Sequence, residues 1–295
     1  MSIVPYPAIV GADIGSIDEN KHLDLAAAHA AGLRFFGRKA SEHLYPDPDF
    51  EKDWRAAGAA GLSRIAYHFP RVHPFTVDDL IKKDARAQLA VALKVLDGAG
   101  GLADGDFPLC LDVEFPSGRL PASRAQCAMF ITEFCTAYRA QRGHWPMIYS
   151  SQRVVDGSDL DALNGALAPE LANCPLWVKT GYRLRARQAV DQIKPASPRL
   201  PRAWTLAPTV GAYIHQIQGD AVHMPGFSSI CDVCLFMTMR AGETGPRVTR
   251  VQTLLGAPLT GVFDAATTTV VKMFQSAHGL DDDAVIGPAT VARAS

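Results

Sequence analysis

The feature that most restricts how this chain can fold is a rhythm. Through the first 180 residues, short β-rich apolar runs alternate with longer stretches patterned for helix. Six runs read as strands: AIVGADIG (8–15), LRFFGRK (33–39), RIAYHF (64–69), LCLDVE (109–114), WPMIYSS (145–151) and LWVK (176–179). Helical segments fall between them at about 22–31, 50–60, 77–97, 122–142 and 159–172, with Asp49, Ser123 and Ser158 placed as capping residues. Strand, helix and strand in steady alternation build parallel βα units, because a parallel neighbour can be reached only by a long crossover.

After residue 180 the helices thin out, and GAYIHQIQ (211–218) and CDVCLFM (231–237) supply two further strands. Eight strands, the first six mostly followed by helices, predict an α/β fold of the irregular β/α (TIM-like) barrel kind, with an open doubly wound sheet as the alternative. A polar segment, RAGETGP (240–246), then leads into a tail of different texture. Val248, Val251, Leu254 and Leu255 form one helical stripe, and Val270, Val271 and Phe274 another. The tail also repeats itself. TGVFDAAT (260–267) and DAVIGPAT (283–290) each place an apolar pair, a turn and a threonine segment that starts a helix, a duplication that suits a small bundle. Two domains are expected, 1–240 and 245–295.

Charge and cysteine content narrow the partners. Lys and Arg number 29 against 30 Asp and Glu, a formal charge of -1, so no basic field draws the chain to nucleic acid or an anionic membrane. No apolar run is long enough for a membrane span. The start, MSIVPYPAIV, lacks the positive end, long apolar centre and cleavage site of a secretory signal, so synthesis in the cytoplasm is expected. The six cysteines then read as free thiols, and Cys231 and Cys234, a lone C-x-x-C, have no second pair to complete a zinc site. A monomer with no metal and no cofactor is expected.

Chemistry concentrates in LCLDVE. Side chains alternate along a strand, so Leu109, Leu111 and Val113 share one face while Cys110, Asp112 and Glu114 share the other. Two carboxylates pointing the same way disturb each other's protonation, and one can stay protonated while the other ionises. At the C-terminal end of a barrel strand such a pair suits glycosidic bond cleavage, one group protonating the leaving oxygen and the other stabilising positive charge. The bland alternative is a solvated strand end paired with Arg or Lys. Asp13 closes the first strand and Asp232 opens the last; a closed barrel makes those strands neighbours, and all four acids then converge.

With these residues assembled, the first 240 positions resemble glycoside hydrolase family 25, the muramidases or lysozymes of the Chalaropsis type. The likeness is carried by GADIGSID, GRKASEH, PDFEKDWRAAGAAGLSRIAYHF, LCLDVE, MIYSS, LWVK and CDVCLF, in that order. It implies an irregular β/α barrel that hydrolyses the β-1,4 bond between N-acetylmuramic acid and N-acetylglucosamine in bacterial peptidoglycan. Glu114 would be the general acid and Asp112 its neighbour. Asp13 and Asp232 would complete an acidic floor that stabilises the transition state or orients the acetamido group.

The resemblance also implies a sugar groove at Tyr67, Tyr149 and Trp177, with Lys39, Glu42 and Gln216 as further substrate contacts. Core packing is the alternative for the aromatic residues, with the groove favoured for Tyr149 and Trp177, and Lys39 and Glu42 could simply pair. Three departures stand out: His43 where the family has glycine, cysteines flanking Asp232 where it has V-D-x-N, and His215-Gln216 where it has Trp-Gln. The tail resembles a three-helix peptidoglycan-binding domain through VTRVQTLLG, TGVFDAATTTVVKMFQSAHGL and AVIGPAT. Together they imply a wall-cutting enzyme of the phage endolysin sort, reaching the wall after release, whose tail raises local substrate concentration. The alternatives are a related glycosidase acting on chitin-like polymers and a wall-binding protein without catalysis.

Overall fold

The computed structural model of the chain describes residues 8–15, 22–115, 120–153, 157–158, 163, 165–179, 212–287, 290 and 293. Strand β1 (Ala8–Ile14) is followed by α1 (Leu25–Ala30), β2 (Phe35–Glu42), β3 (Tyr45–Pro46), α2 (Phe50–Ala59), β4 (Ser63–Phe69) and α3 (Asp78–Gly98). Next come β5 (Cys110–Val113), α4 (Arg124–Arg142), β6 (Met147–Arg153), β7 (Gly157–Ser158), a 3-10 turn at Pro169–Asn173, β8 (Leu176–Lys179), β9 (Ala212–His223) and β10 (Ile230–Met237).

Each strand read from the sequence is present, with ends displaced by a few residues. Glu114 stands one position beyond β5. The short strands β3 and β7 went unread because two residues carry no periodicity. Ser158 lies in β7 and not at a helix start. Of the helix expected at 159–172, the described residues hold the turn at Pro169–Asn173, while 159–162 and 164 lie outside them. Asp49 occupies the N-cap of α2 without a side-chain cap bond, whereas Ser123 forms a full capping box with Gln126 at the start of α4.

The sheet curls because β1 pairs on both sides, parallel with β2 and antiparallel with β10. From β2 the path runs through β4, β5, β6, β8 and β9, all parallel, and β9 turns back antiparallel into β10. The parallel strands therefore end on one edge, where Asp13, Lys39, Tyr67, Asp112, Tyr149 and Lys179 gather. Strand β10 runs the other way and delivers Asp232 from its beginning, opposite Asp13.

Alternation sorts the apolar side chains into two cores. Leu109, Leu111 and Val113 face outward and pack with Leu89 of α3 and Phe130 and Phe134 of α4. Phe35, Ile65, Phe107, Cys110, Met147 and Phe236 fill the inside of the curl. That inner core does not stop at the base of the sheet. It continues into the tail through Val248 and Val251 of α5 (Pro246–Leu255), Phe263, Val271 of α6 (Ala265–Ala277), and Ile286. Met239 and Ile286 exchange backbone hydrogen bonds of 3.2 and 2.8 Å, and Arg293 pairs with Asp104.

The repeat read in the tail is physical. Gln252 Nε2 donates to Thr260 Oγ1, to the Val262 carbonyl and to Thr267 Oγ1, while its Oε1 accepts from Gly261 N. Gln275 Nε2 donates in the same way to Asp283 Oδ1, the Val285 carbonyl and Thr290 Oγ1, while its Oε1 accepts from Ala284 N. A buried amide at the same place in each half thus satisfies the turn beneath it.

A second buried polar chain ties β2, β4 and α3 together. Ser41 Oγ lies 2.9 Å from His68 Nδ1, and His68 Nε2 lies 3.2 Å from Gln88 Oε1, so the ring is neutral with its proton on Nε2. Burial lowers the His68 pKa to about 4. The folded value lies below the unfolded ~6.5, so this group's stabilisation is intact at neutral pH and drains away as pH falls from about 6.5 towards 4. By pH 4 the loss is about 3 kcal/mol. Urea unfolding at pH 7 and pH 4 is expected to show that extra loss in the wild type relative to His68→Gln; equal losses would contradict it.

Candidate active site

The gathered edge forms a cleft of about 310 Å³ lined by Asp13, Lys39, Tyr67, Asp112, Glu114 and Asp232, with Tyr149, Trp177, Lys179 and Gln216 among its other walls. Three features of the backbone bring the acids in. Asp112 is the inward residue of β5, Glu114 follows it on the same side, and Asp13 faces Asp232 across the β1–β10 pair. Gly37 on β2 makes the crowding possible, since a Cβ there would come within 2.7 Å of Asp13 Cβ and 3.1 Å of the Trp177 ring.

Asp13 and Asp112 are held in environments that favour the neutral form. Asp13 is 9% exposed and Asp112 8%. Burial pushes both carboxyls well above their ordinary value; the Asp232 charge adds to the effect on Asp13, and the Glu114 charge to that on Asp112. Asp13 Oδ1 accepts from Cys234 Sγ at 3.2 Å. Asp112 Oδ1 is buried and has no hydrogen-bond partner among the described residues, an atom placed to receive or give a hydrogen bond to something bound in the cleft. Glu114 is half-buried, and its Oε1 lies 3.3 Å from the Tyr149 hydroxyl.

That hydroxyl is also 2.5 Å from Gln216 Oε1, so its single proton is shared between two acceptors. Gln216 Nε2 donates in turn to Asp232. A polar chain therefore crosses the floor from Glu114 through Tyr149 and Gln216 to Asp232. Gln216 is a connector beneath the cleft, and it fixes the acids at both ends.

The three aromatic residues lie in the cleft wall, but as packed floor. Trp177 is 2% exposed and meets Tyr149 and Tyr67 edge to face, with ring centroids 5.1 and 6.3 Å away. The Tyr67 hydroxyl donates to the Ile14 carbonyl at 3.0 Å. Little ring face is left for a sugar to cover. Lys39 lines the cleft and donates to Glu42 Oε2 at 2.8 Å, so the pairing weighed from sequence is real. Burial of Glu42 opposes its ionisation, but bonds and charge from Lys39 and Arg71 outweigh it and hold the carboxyl below its usual range.

Sequence reasoning passed over Lys179, although it closes LWVK on the same strand edge as the acids; a cation ending an inward-facing strand was the available signal. Cys231 and Cys234 belong to different apolar clusters, so they do not face one site. The alternative of a solvated strand end fails for Asp112, which is buried.

The raised Asp112 carboxyl has a consequence for stability. Its folded pKa exceeds the unfolded ~3.9, so the native state keeps a proton that the unfolded chain has released, and the group opposes folding increasingly as pH rises through that window. Asp112→Asn is expected to raise the melting temperature at pH 7 by a few degrees and to lower activity. An unchanged or lower melting temperature would contradict the assignment.

Residues 12–195 match the profile of the glycosyl hydrolases family 25, and residues 244–293 that of a peptidoglycan binding domain. An N,O-diacetylmuramidase from Arthroderma benhamiae is 31% identical over 149 residues, 49% of this chain and 58% of that protein, so the match spans little more than half of the relative's length. A family GH25 lysozyme from Aspergillus fumigatus is 26% identical with a TM-score of 0.54, covering 78% of this chain and 93% of the other. A bacterial lysozyme from Streptomyces coelicolor shares the fold at 22% identity and a TM-score of 0.56, covering 77% of this chain and 91% of its own.

Proposed function

This chain belongs to glycosyl hydrolase family 25, and from that premise we propose that it is a lysozyme, an N-acetylmuramidase that hydrolyses the β-1,4 bond between N-acetylmuramic acid and N-acetylglucosamine in peptidoglycan. The observation that carries the proposal is the pair at the end of β5: a buried Asp112 whose Oδ1 is unpartnered among the described residues, beside a more open Glu114 on the same edge.

Asp112 and Glu114 titrate as a pair, and in the state where Glu114 carries a proton it gives that proton to the glycosidic oxygen as the bond to the muramoyl C1 breaks. Positive charge then grows on C1 and the ring oxygen. Asp112 Oδ1 is placed to hold the acetamido group next to that carbon, Asp232 lends the negative field of the floor, and Asp13, held neutral by burial, packs beneath it. A water adds to C1 and returns a proton to Glu114, so the enzyme ends as it began. Lys39 and Lys179 offset the crowding of acids, since both lower the Asp112 carboxyl.

In the same reading the curled sheet is an irregular β/α barrel and the tail a three-helix wall-binding module. In this reading the module, whose Val248, Val251 and Ile286 join the inner core of the sheet, holds the polymer while the acids cut it. A monomer made in the cytoplasm and acting on the wall after release, as an endolysin does, completes the proposal.

The test is to digest purified peptidoglycan, reduce the new ends with borohydride and identify the sugar. Reduced muramic acid is expected. Reduced glucosamine, or a freed peptide amine, would overturn the reading.

A further inference from the structure

A second cavity of about 350 Å³ opens beside the cleft and shares two walls with it, Phe69 and Glu114. Its chemistry is different. Val72, Leu120, Pro121 and Ile131, with Phe69 and Phe115, make it largely apolar, and Arg71, His73 and Glu114 are its polar walls. A pyranose would press most of its hydroxyls against that apolar wall, so a ligand that carries methyl groups suits the cavity better than another sugar.

Arg71 supplies the charge that selects the occupant. Its Nε and Nη2 donate to Glu42 Oε1 at 2.9 and 2.5 Å, and its side chain remains about half exposed. Nη1 has no hydrogen-bond partner among the described residues. A guanidinium with donors to spare, next to an alkyl hollow, matches a short peptide that carries methyl groups and a free carboxylate. The polymer proposed for the cleft has that arm: a stem of alanine and glutamate residues leaves each muramoyl unit through its lactyl ether, beside the bond to be cut.

We propose that this second cavity receives the peptide stem of the muramoyl residue, with Arg71 binding a stem carboxylate and the alkyl wall taking the alanine methyl. The proposal rests on the muramidase reading for its substrate but not for its test. The cavity meets the cleft at Glu114, so a stem seated there places its own sugar at the acid. The enzyme then prefers glycan that still carries peptide.

Two measurements decide it. First, kcat/KM is compared on glycan strands with stems and on strands stripped by an amidase. The wild type is expected to favour the former by about tenfold, chiefly through KM, and Arg71→Gln and the cavity-filling Leu120→Trp to bring the ratio near one, with Arg71→Lys restoring part of it. Equal rates in the wild type, or variants that slow both substrates alike, would overturn the proposal. Second, calorimetry compares N-acetylmuramoyl-L-alanyl-D-glutamate with N-acetylmuramic acid on the wild type. About tenfold tighter binding of the peptide form is expected, and equal affinities would overturn the proposal even if no glycan is cleaved, an outcome that would count separately against the muramidase reading.

Discussion

Replacing Glu114 with Gln is expected to lower turnover on purified peptidoglycan by about a thousandfold, while the melting temperature and wall binding stay near wild type. The size follows from the role: a positioned general acid contributes about 10²–10⁴-fold, and the amide cannot release a proton to the leaving oxygen. The fold should tolerate the change because Glu114 lies beyond the end of β5 and is only half-buried, and Gln still offers the Tyr149 hydroxyl an acceptor at the same place. Reducing-end release measured against scanning calorimetry separates the effects. Activity within tenfold of wild type would remove Glu114 from the acid role.

Removal of residues 241–295 is expected to do more than weaken attachment to the wall. The composition break at RAGETGP suggests a detachable module whose loss spares cleavage of soluble fragments. The structure alters that expectation, because the inner core of the sheet runs on into Val248, Val251, Phe263, Val271 and Ile286. Truncation uncovers the base of the curl around Phe236 and Met239 and breaks the two bonds that Met239 exchanges with Ile286. Each large apolar side chain returned to water costs about 1.5–3 kcal/mol, so two or three consume a large part of a typical domain's 5–15 kcal/mol. At about 2–4 °C per kcal/mol, the truncated chain should melt about 10 °C or more below the intact one. Cleavage of soluble fragments then survives only below that lowered transition. Unchanged melting after truncation would show that the tail is merely tethered.

Much of the site was legible because strand alternation is a local rule. Once LCLDVE is a strand, Asp112 and Glu114 must point the same way, and the outer leucines must meet helices, as Leu109 and Leu111 do. The tail repeat was legible for a related reason: TGVFDAAT and DAVIGPAT set their threonines at the same place after an apolar pair and a turn, and the structure fills both turns alike with Gln252 and Gln275.

What alternation could not give is depth. Nothing in the order of residues distinguishes Tyr149 or Trp177 as a sugar platform from the same rings as floor, because exposure depends on which strands lie opposite. Glycine at position 37 contributes by letting Asp13 and Trp177 close in. The same holds for charge. The sequence determined that four acids sit at strand ends and that a helical tail follows a polar break; both are properties of neighbouring residues along the chain. Only the tertiary structure decided that Asp13 and Asp112 are buried deeply enough to favour their protons, that Gln216 links Tyr149 to Asp232, and that the tail shares the core of the sheet. Desolvation and packing are set by atoms far apart in sequence, and those come together only when β1 finds β2 on one side and β10 on the other.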